Sequence, residues 1–278
     1  MSHFYVNNGM PLLDVMRSYF KDWDFDGGWL HQKRHLAVSG DNNFFEAIDI
    51  LNFEEVYSAH PGEQQGMASS AVTCYANAVI GLNNTCAHNF CSNEHADKRI
   101  YKFLHQLVWD KYLTGKEAAL AKAIERGEVK QQQHAVLVQR KHNRHMVNIR
   151  EMASAFSQHG ISNEIVHLED LSYGDQVRLF SLKATVIVGV HGNAIAHFLW
   201  AQHNTLVIEI FQKDWHSDWQ ELILKQMSKA VPPHTTGIQY AKIECKDDAC
   251  SEGMSGLNAN VRVNITALNE IVETRLLL

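Results

Sequence analysis

From Ala135 to about Ile243 short apolar runs alternate with amphipathic stretches at regular spacing, and this rhythm limits the possible folds more than any other feature of the chain. Ala135-Val136-Leu137-Val138 has the composition of a strand, and Met146 to His159 has the apolar spacing of a helix, with Gly160 placed for a left-handed cap. Glu164-Ile165-Val166-His167-Leu168 predicts a second strand. Ser172 can cap a helix running through Gln176, Val177, Leu179 and Phe180. Thr185 to Val190 is almost wholly apolar, which predicts a strand buried on both faces. Asn193 to Ala201 then predicts a short helix, Thr205 to Ile210 a strand, and Asp214 to Lys229 another helix. Strands joined through helices run parallel, so this region predicts a parallel sheet with helices on both sides, a Rossmann-like domain.

The N-terminal part is less regular. Leu36-Ala37-Val38, Val56-Tyr57-Ser58 and Ala78-Val79-Ile80 are strand-like, Asn43 to Leu51 is helix-like, and Asp97 to Lys130 has helical periodicity through Ile100, Phe103, Leu104, Leu107, Val108 and Tyr112. A length of 278 residues suits two modest domains. The expected division is an N-terminal α/β domain with a helical linker over 1–130 and a Rossmann-like domain over 131–278, entered through Gln131-Gln132-Gln133.

Composition narrows the partners. With hydrophobic residues at 45% and charged residues at 20%, the chain has enough apolar material for packed cores. A net charge of -6 and a pI near 6.3 argue against nucleic acid as a partner. No run approaches the roughly 20 apolar residues that cross a bilayer, and Met1-Ser2-His3-Phe4-Tyr5 does not open a signal peptide, so neither anchor nor export signal is expected within this chain. Against that, Asn83-Asn84-Thr85 and Asn264-Ile265-Thr266 fit the glycosylation acceptor pattern, which hints at a lumenal or secreted setting. There, Cys86 or Cys91 would pair with Cys74 or with each other, and Cys245 with Cys250. Free buried thiols are the alternative. A zinc set of Cys86, His88, Cys91 and His95 has irregular spacing for such a site.

Two segments carry the chemistry. Gly189-Val190-His191-Gly192-Asn193 lies where a buried parallel strand hands over to a helix N-terminus, the end of an α/β sheet at which ligands bind. Backbone N–H groups there favour an anion, Gly192 allows a diphosphate or ribose to approach the main chain, and His191 can donate to a phosphate or ribose oxygen. Gln139-Arg140-Lys141-His142-Asn143-Arg144 follows the first strand of the same domain and therefore emerges at the same end of the sheet. The planar forks of Arg140 and Arg144 match phosphate geometry. A tight turn and a solvated basic loop are the plain readings of each segment alone. Their convergence on one crevice favours a nucleotide site.

The stretch Val136 to Asp218 resembles the catalytic domain of family 61 glycosyltransferases. The resemblance rests on Arg140, Arg144 and Asn148, on Leu168-Glu169-Asp170-Leu171-Ser172 with Gln176, on the Val188 to Gly192 turn, and on Val207-Ile208-Glu209. Asn193, Leu199-Trp200, Glu209-Ile210-Phe211 and Cys74 to Leu82 look closest to the fungal branch. The resemblance implies a GT-B fold of two facing Rossmann-like domains with parallel sheets, the N-terminal one short or truncated here. It also implies inverting transfer from a UDP-sugar, without a metal or other cofactor, to a glycan or protein hydroxyl in the Golgi or ER lumen. Relatives move xylose, arabinose or N-acetylglucosamine. Arg140, Arg144, His191, Gly192 and Asn193 would hold the donor, and Glu209 would hold a ribose or sugar hydroxyl or brace the sheet. Ala194 departs from the family's usual glycine and adds a methyl group beside the ligand. A truncated, non-catalytic nucleotide-sugar-binding protein is the alternative.

Other acidic groups are weaker candidates. Asp22-Trp23-Asp24-Phe25-Asp26 holds two Asp-x-Asp patterns but no preceding apolar strand, which makes it an acidic surface loop. Asp218 would open a helix at the cleft edge, as a donor-sugar contact or a first-turn carboxylate. No residue is assigned as general base; Asp24, Asp26 and His31 are N-terminal candidates.

Overall fold

The computed structural model describes residues 35–38, 55–58 and 99–276, the last span without 203, 219, 222–223, 225–236 and 254–255. The chain divides into two compact units, Met1–Ile100 and Tyr101–Leu278. In the first, β1 (His35–Val38) and β2 (Glu55–Ser58) pair in parallel, Leu36 opposite Val56, as their β-branched and aromatic content predicts. The predicted helix at Asn43 to Leu51, the predicted strand at Ala78 to Ile80, the Asp22 to Asp26 loop, His31 and the cysteines before Cys245 lie outside the described residues.

The second unit is built on five parallel strands in the order β4-β3-β5-β6-β7, where β3 is His134–Val138, β4 Ser162–Val166, β5 Val186–Val190, β6 Leu206–Phe211 and β7 Gln239–Glu244. This is the predicted Rossmann-like domain. All residues of β3, β5 and β6 are buried, as their largely apolar runs require, with His134 and Glu209 the polar exceptions, whereas the edge strands β4 and β7 carry several polar side chains.

Two helices precede the sheet, α1 (Arg99–Tyr112) and α2 (Gly115–Glu125), which divide the predicted helical stretch at a capping box formed by Thr114 and Glu117. Trp109 Nε1 donates to the Trp200 carbonyl at 3.3 Å, and Gln202 Nε2 donates to the Ala121 carbonyl at 3.2 Å, so both helices are fastened to the segment that follows β5. On the opposite face α3 (Ile149–Gln158) and the C-terminal α5 (Ile265–Leu276) cover Val186, Val188, Val190, Leu206, Ile208 and Ile210. Helix α3 ends at Gly160 with a positive φ, as predicted.

Several local expectations are corrected. Leu168 leaves β4 for a 3-10 turn, Leu168–Asp170, because Gln176 Nε2 bonds both the Leu168 and Leu171 carbonyls and closes that turn. Ser172 caps α4 (Tyr173–Arg178) by accepting from Asp175 N, and the helix then widens into a π turn, Leu179–Lys183. The segment Asn193–Trp200 is a 3-10 helix rather than an α-helix. The helix predicted from Asp214 begins later: Asp214 has φ 59°, Trp215 N bonds the Gln212 carbonyl, and the described helical residues are Gln220, Glu221 and Leu224. Beyond β7, Cys245 and Cys250 form a disulfide, and β8 (Ser251–Glu252) pairs antiparallel with β9 (Asn260–Val261).

Candidate functional site

In a sheet ordered β4-β3-β5-β6-β7 the connections leave β3 and β5 in opposite directions, and a crevice opens between the two strand ends. The loop after β3 forms one wall. It is fixed at its base by Gln139, whose side chain accepts from Met146 N at 3.0 Å, and at its far end by buried Asn148, which bonds both the N–H and the carbonyl of Val263 at 2.8 and 2.9 Å. His145 N donates to Asn260 Oδ1, and Val261 N to the His145 carbonyl. Lys141 pairs with Asp170 of the turn after β4. Between these anchors Arg144 stands at φ 56°, a left-handed conformation that costs a non-glycine residue roughly 1–2 kcal/mol.

The second wall is the turn after β5. Gly189 is required there because a Cβ would collide with Ile195 Cγ2 of the returning 3-10 helix. His191 N continues the ladder to the Ile210 carbonyl at 2.8 Å, and the His191 carbonyl accepts from an Arg144 guanidinium nitrogen at 3.0 Å. Gly192 has φ 148°, and a Cβ on it would lie 2.9 Å from an Arg144 guanidinium nitrogen and 3.3 Å from one of Arg140. Both guanidinium groups therefore close over the bare main chain of Gly192. The Gly192 carbonyl in turn accepts from buried Gln220 Nε2 at 3.2 Å.

A row of side chains crosses the sheet from this turn. His191 Nδ1 lies 2.6 Å from Glu209 Oε1, and Tyr240 donates its phenol proton to Glu209 Oε2 at 2.6 Å. Glu209 is fully buried with both oxygens engaged, so its carboxylate can act on a ligand only through His191. Burial, followed by the Glu209 carboxylate, pushes the Tyr240 phenol far up, which keeps it protonated and donating. Phe211 stacks on the His191 ring at 5.2 Å, and Trp215, partly exposed, lies 6.3 Å from that ring.

Electrostatically the crevice is cationic. Burial and then the charge of Arg140 hold Arg144 below the usual guanidinium value, and neither arginine has a carboxylate partner among the described residues. Two half-buried cations facing one glycine are a complementary site for an anion.

A family model described as glycosyltransferase 61 matches residues 3–208, more than half of the chain. The chain belongs to the glycosyltransferase 61 family. No curated protein sequence matches it. The enzyme is thus a glycosyltransferase, and the family's activity requires a sugar donor and a glycan acceptor. The family match ends inside β6, just short of Glu209, so Glu209, Trp215 and Tyr240 lie beyond it.

In this glycosyltransferase Arg140, Arg144, His191 and Gly192 come together at one strand end, and Asn193 opens the 3-10 helix next to them. Two residues quoted for the resemblance shape the backbone instead: Asn148 clamps Val263 in the segment between β9 and α5, and Gln176 closes the turn after β4. Asp218 accepts from His216 Nε2 at 2.7 Å and is well exposed. Sequence reading missed Tyr240 and Gln220. Gln239-Tyr240-Ala241-Lys242-Ile243-Glu244 lacks strict alternation, because Tyr240 and Ala241 are adjacent apolar residues, so no clear period-2 signal marks this edge strand. Among the described residues no group of three or more His, Cys, Asp or Glu is arranged to hold a metal ion, and no helix is long and apolar enough to cross a membrane.

Proposed function

We propose that this glycosyltransferase takes its sugar from a UDP-sugar and transfers it with inversion, without a metal ion, to a glycan or protein hydroxyl. The observation that carries the reading is the pair of guanidinium groups closing over Gly192 without a carboxylate partner among the described residues. They supply, at the position of the donor's diphosphate, the positive charge that a divalent cation supplies in other transferases. In the transfer the acceptor oxygen attacks the anomeric carbon from the face opposite UDP. The bond between that carbon and the phosphate oxygen breaks with its electron pair going to the diphosphate, and the acceptor proton passes to a base. Arg140 and Arg144 hold the departing charge, and His191 contacts a phosphate or ribose oxygen.

On this reading the parallel-sheet domain entered at residue 131, with α1 and α2 packed on it, is the donor half of a GT-B enzyme, and the first unit serves the acceptor. The sugar belongs to the xylose, arabinose or N-acetylglucosamine class. A Golgi or ER lumen setting is supported by the Cys245–Cys250 disulfide and by the exposed acceptor triplet at Asn264. The test is incubation with UDP-xylose, UDP-arabinose and UDP-N-acetylglucosamine in EDTA, with proton NMR of the sugar released. Release of the inverted anomer is expected; the retained anomer, or turnover only with added Mn²⁺, overturns the reading.

A further inference from the structure

The row that ends at His191 begins at a residue outside the family match. His191 extends β5, Glu209 lies on β6 and Tyr240 on β7; Gly189 stands opposite Glu209 and Val207 opposite Tyr240 in the parallel registers. In-register residues of parallel strands share a face, so the three side chains are presented on one side of the sheet. Each of the two junctions is 2.6 Å long. A carboxylate oxygen only accepts, so the proton between His191 and Glu209 is on Nδ1, and Nε2 is the ring nitrogen without a protein partner among the described residues.

We propose that Tyr240 is a positioning residue of the donor site: its phenol fixes the Glu209 carboxylate, which fixes the tautomer and the angle of the His191 ring. A fully buried carboxylate with one donor alone would be free to turn about its terminal torsion, and that turn would release Nδ1. With both oxygens engaged the acceptor geometry is set, and Phe211, stacked on the ring, blocks rotation on one side. The arrangement is the one by which metal-bound histidines are oriented by an outer carboxylate, applied here to a histidine at an anion site. It rests on the donor-site reading only for its effect on nucleotide binding.

The test uses the full chain and its Tyr240→Phe variant, which removes one hydroxyl group and leaves the ring. Nitrogen-15 NMR of the His191 ring at neutral pH, assigned by His191→Gln, reports the tautomer, and calorimetry with UDP reports the site. The wild-type ring is expected to carry its proton on Nδ1. Tyr240→Phe is expected to mix the two tautomers and to weaken UDP binding about threefold to tenfold, with an unchanged circular dichroism spectrum. Wild-type ring signals and wild-type UDP affinity in folded Tyr240→Phe overturn the inference. So does a wild-type ring protonated on Nε2 alone, which needs no variant. If the wild type fails to bind UDP, the donor-site reading falls, and the ring signals alone still decide the role of Tyr240.

Discussion

Arg144 sits in a backbone region that side-chain-bearing residues rarely occupy, and its guanidinium group lies beside a second one, with no carboxylate partner among the described residues. Both features oppose folding, and an anionic ligand between the two guanidinium groups would offset that cost. Charge-assisted hydrogen bonds are worth roughly 1.5–3 kcal/mol each, so Arg140→Ala and Arg144→Ala should each weaken UDP binding by about 10- to 100-fold in calorimetric titration. Gly192→Ala should be equally harmful without removing any charge. Its methyl group would stand 2.9 Å from Arg144 and strain a backbone at φ 148°, displacing the guanidinium pair. A Gly192→Ala protein with wild-type UDP affinity would show that the close approach of the arginines to the main chain has no part in binding.

Both walls of the crevice hang from elements that pattern reading recovers. The apolar runs of β3, β5 and β6 are legible because strands buried on both faces tolerate little polarity. The half-exposed edge strand β7 mixes polar and apolar residues and was overlooked, and with it Tyr240. The start of the helix after β6 was misplaced because turn geometry at Asp214 overrides a pattern of apolar residues that continues through it. Arg140, Arg144 and His191 were legible as a group since sheet topology alone puts the ends of β3 and β5 side by side. The clamp that holds their loop was not legible: Asn148 reaches 115 positions along the chain to Val263, a separation that no local pattern encodes. Asn148→Ala would leave the buried N–H and carbonyl of Val263 without partners, at about 1–3 kcal/mol for each group. Urea unfolding should show that loss, and UDP affinity should fall with it as the arginine loop loosens. Full stability in Asn148→Ala would mean that the clamp does not fasten the loop.

For the whole molecule, acid should be more damaging than base. Hydrogen bonds from the Thr114 backbone and side chain hold the Glu117 carboxyl below its ordinary value, and a bond from the Ser172 hydroxyl does the same for Asp175. Burial works to raise Glu164, but Lys183 and His134 outweigh it and leave that carboxyl low as well. Each group binds protons less readily folded than unfolded, so its contribution is complete above the unfolded value near 4 and disappears as pH falls through the lower folded values. Burial holds the pKa of the His197 ring down to about 3, so the unfolded chain takes up that proton first and stability begins to fall below about pH 6.5. Urea midpoints should therefore decline from pH 7 toward pH 5 and drop further below pH 4; a midpoint as high at pH 3 as at pH 7 would contradict this. Reduction of Cys245–Cys250, which closes a short loop, should cost about 2 kcal/mol in the same assay. The most direct test of the account is titration of the purified chain with UDP in EDTA, beside its Arg140→Ala variant. Metal-free binding by the wild type that is lost in Arg140→Ala is predicted. Binding that appears only with Mn²⁺, or that is equal in the two folded proteins, would contradict the assignment of the arginine pair as the diphosphate site.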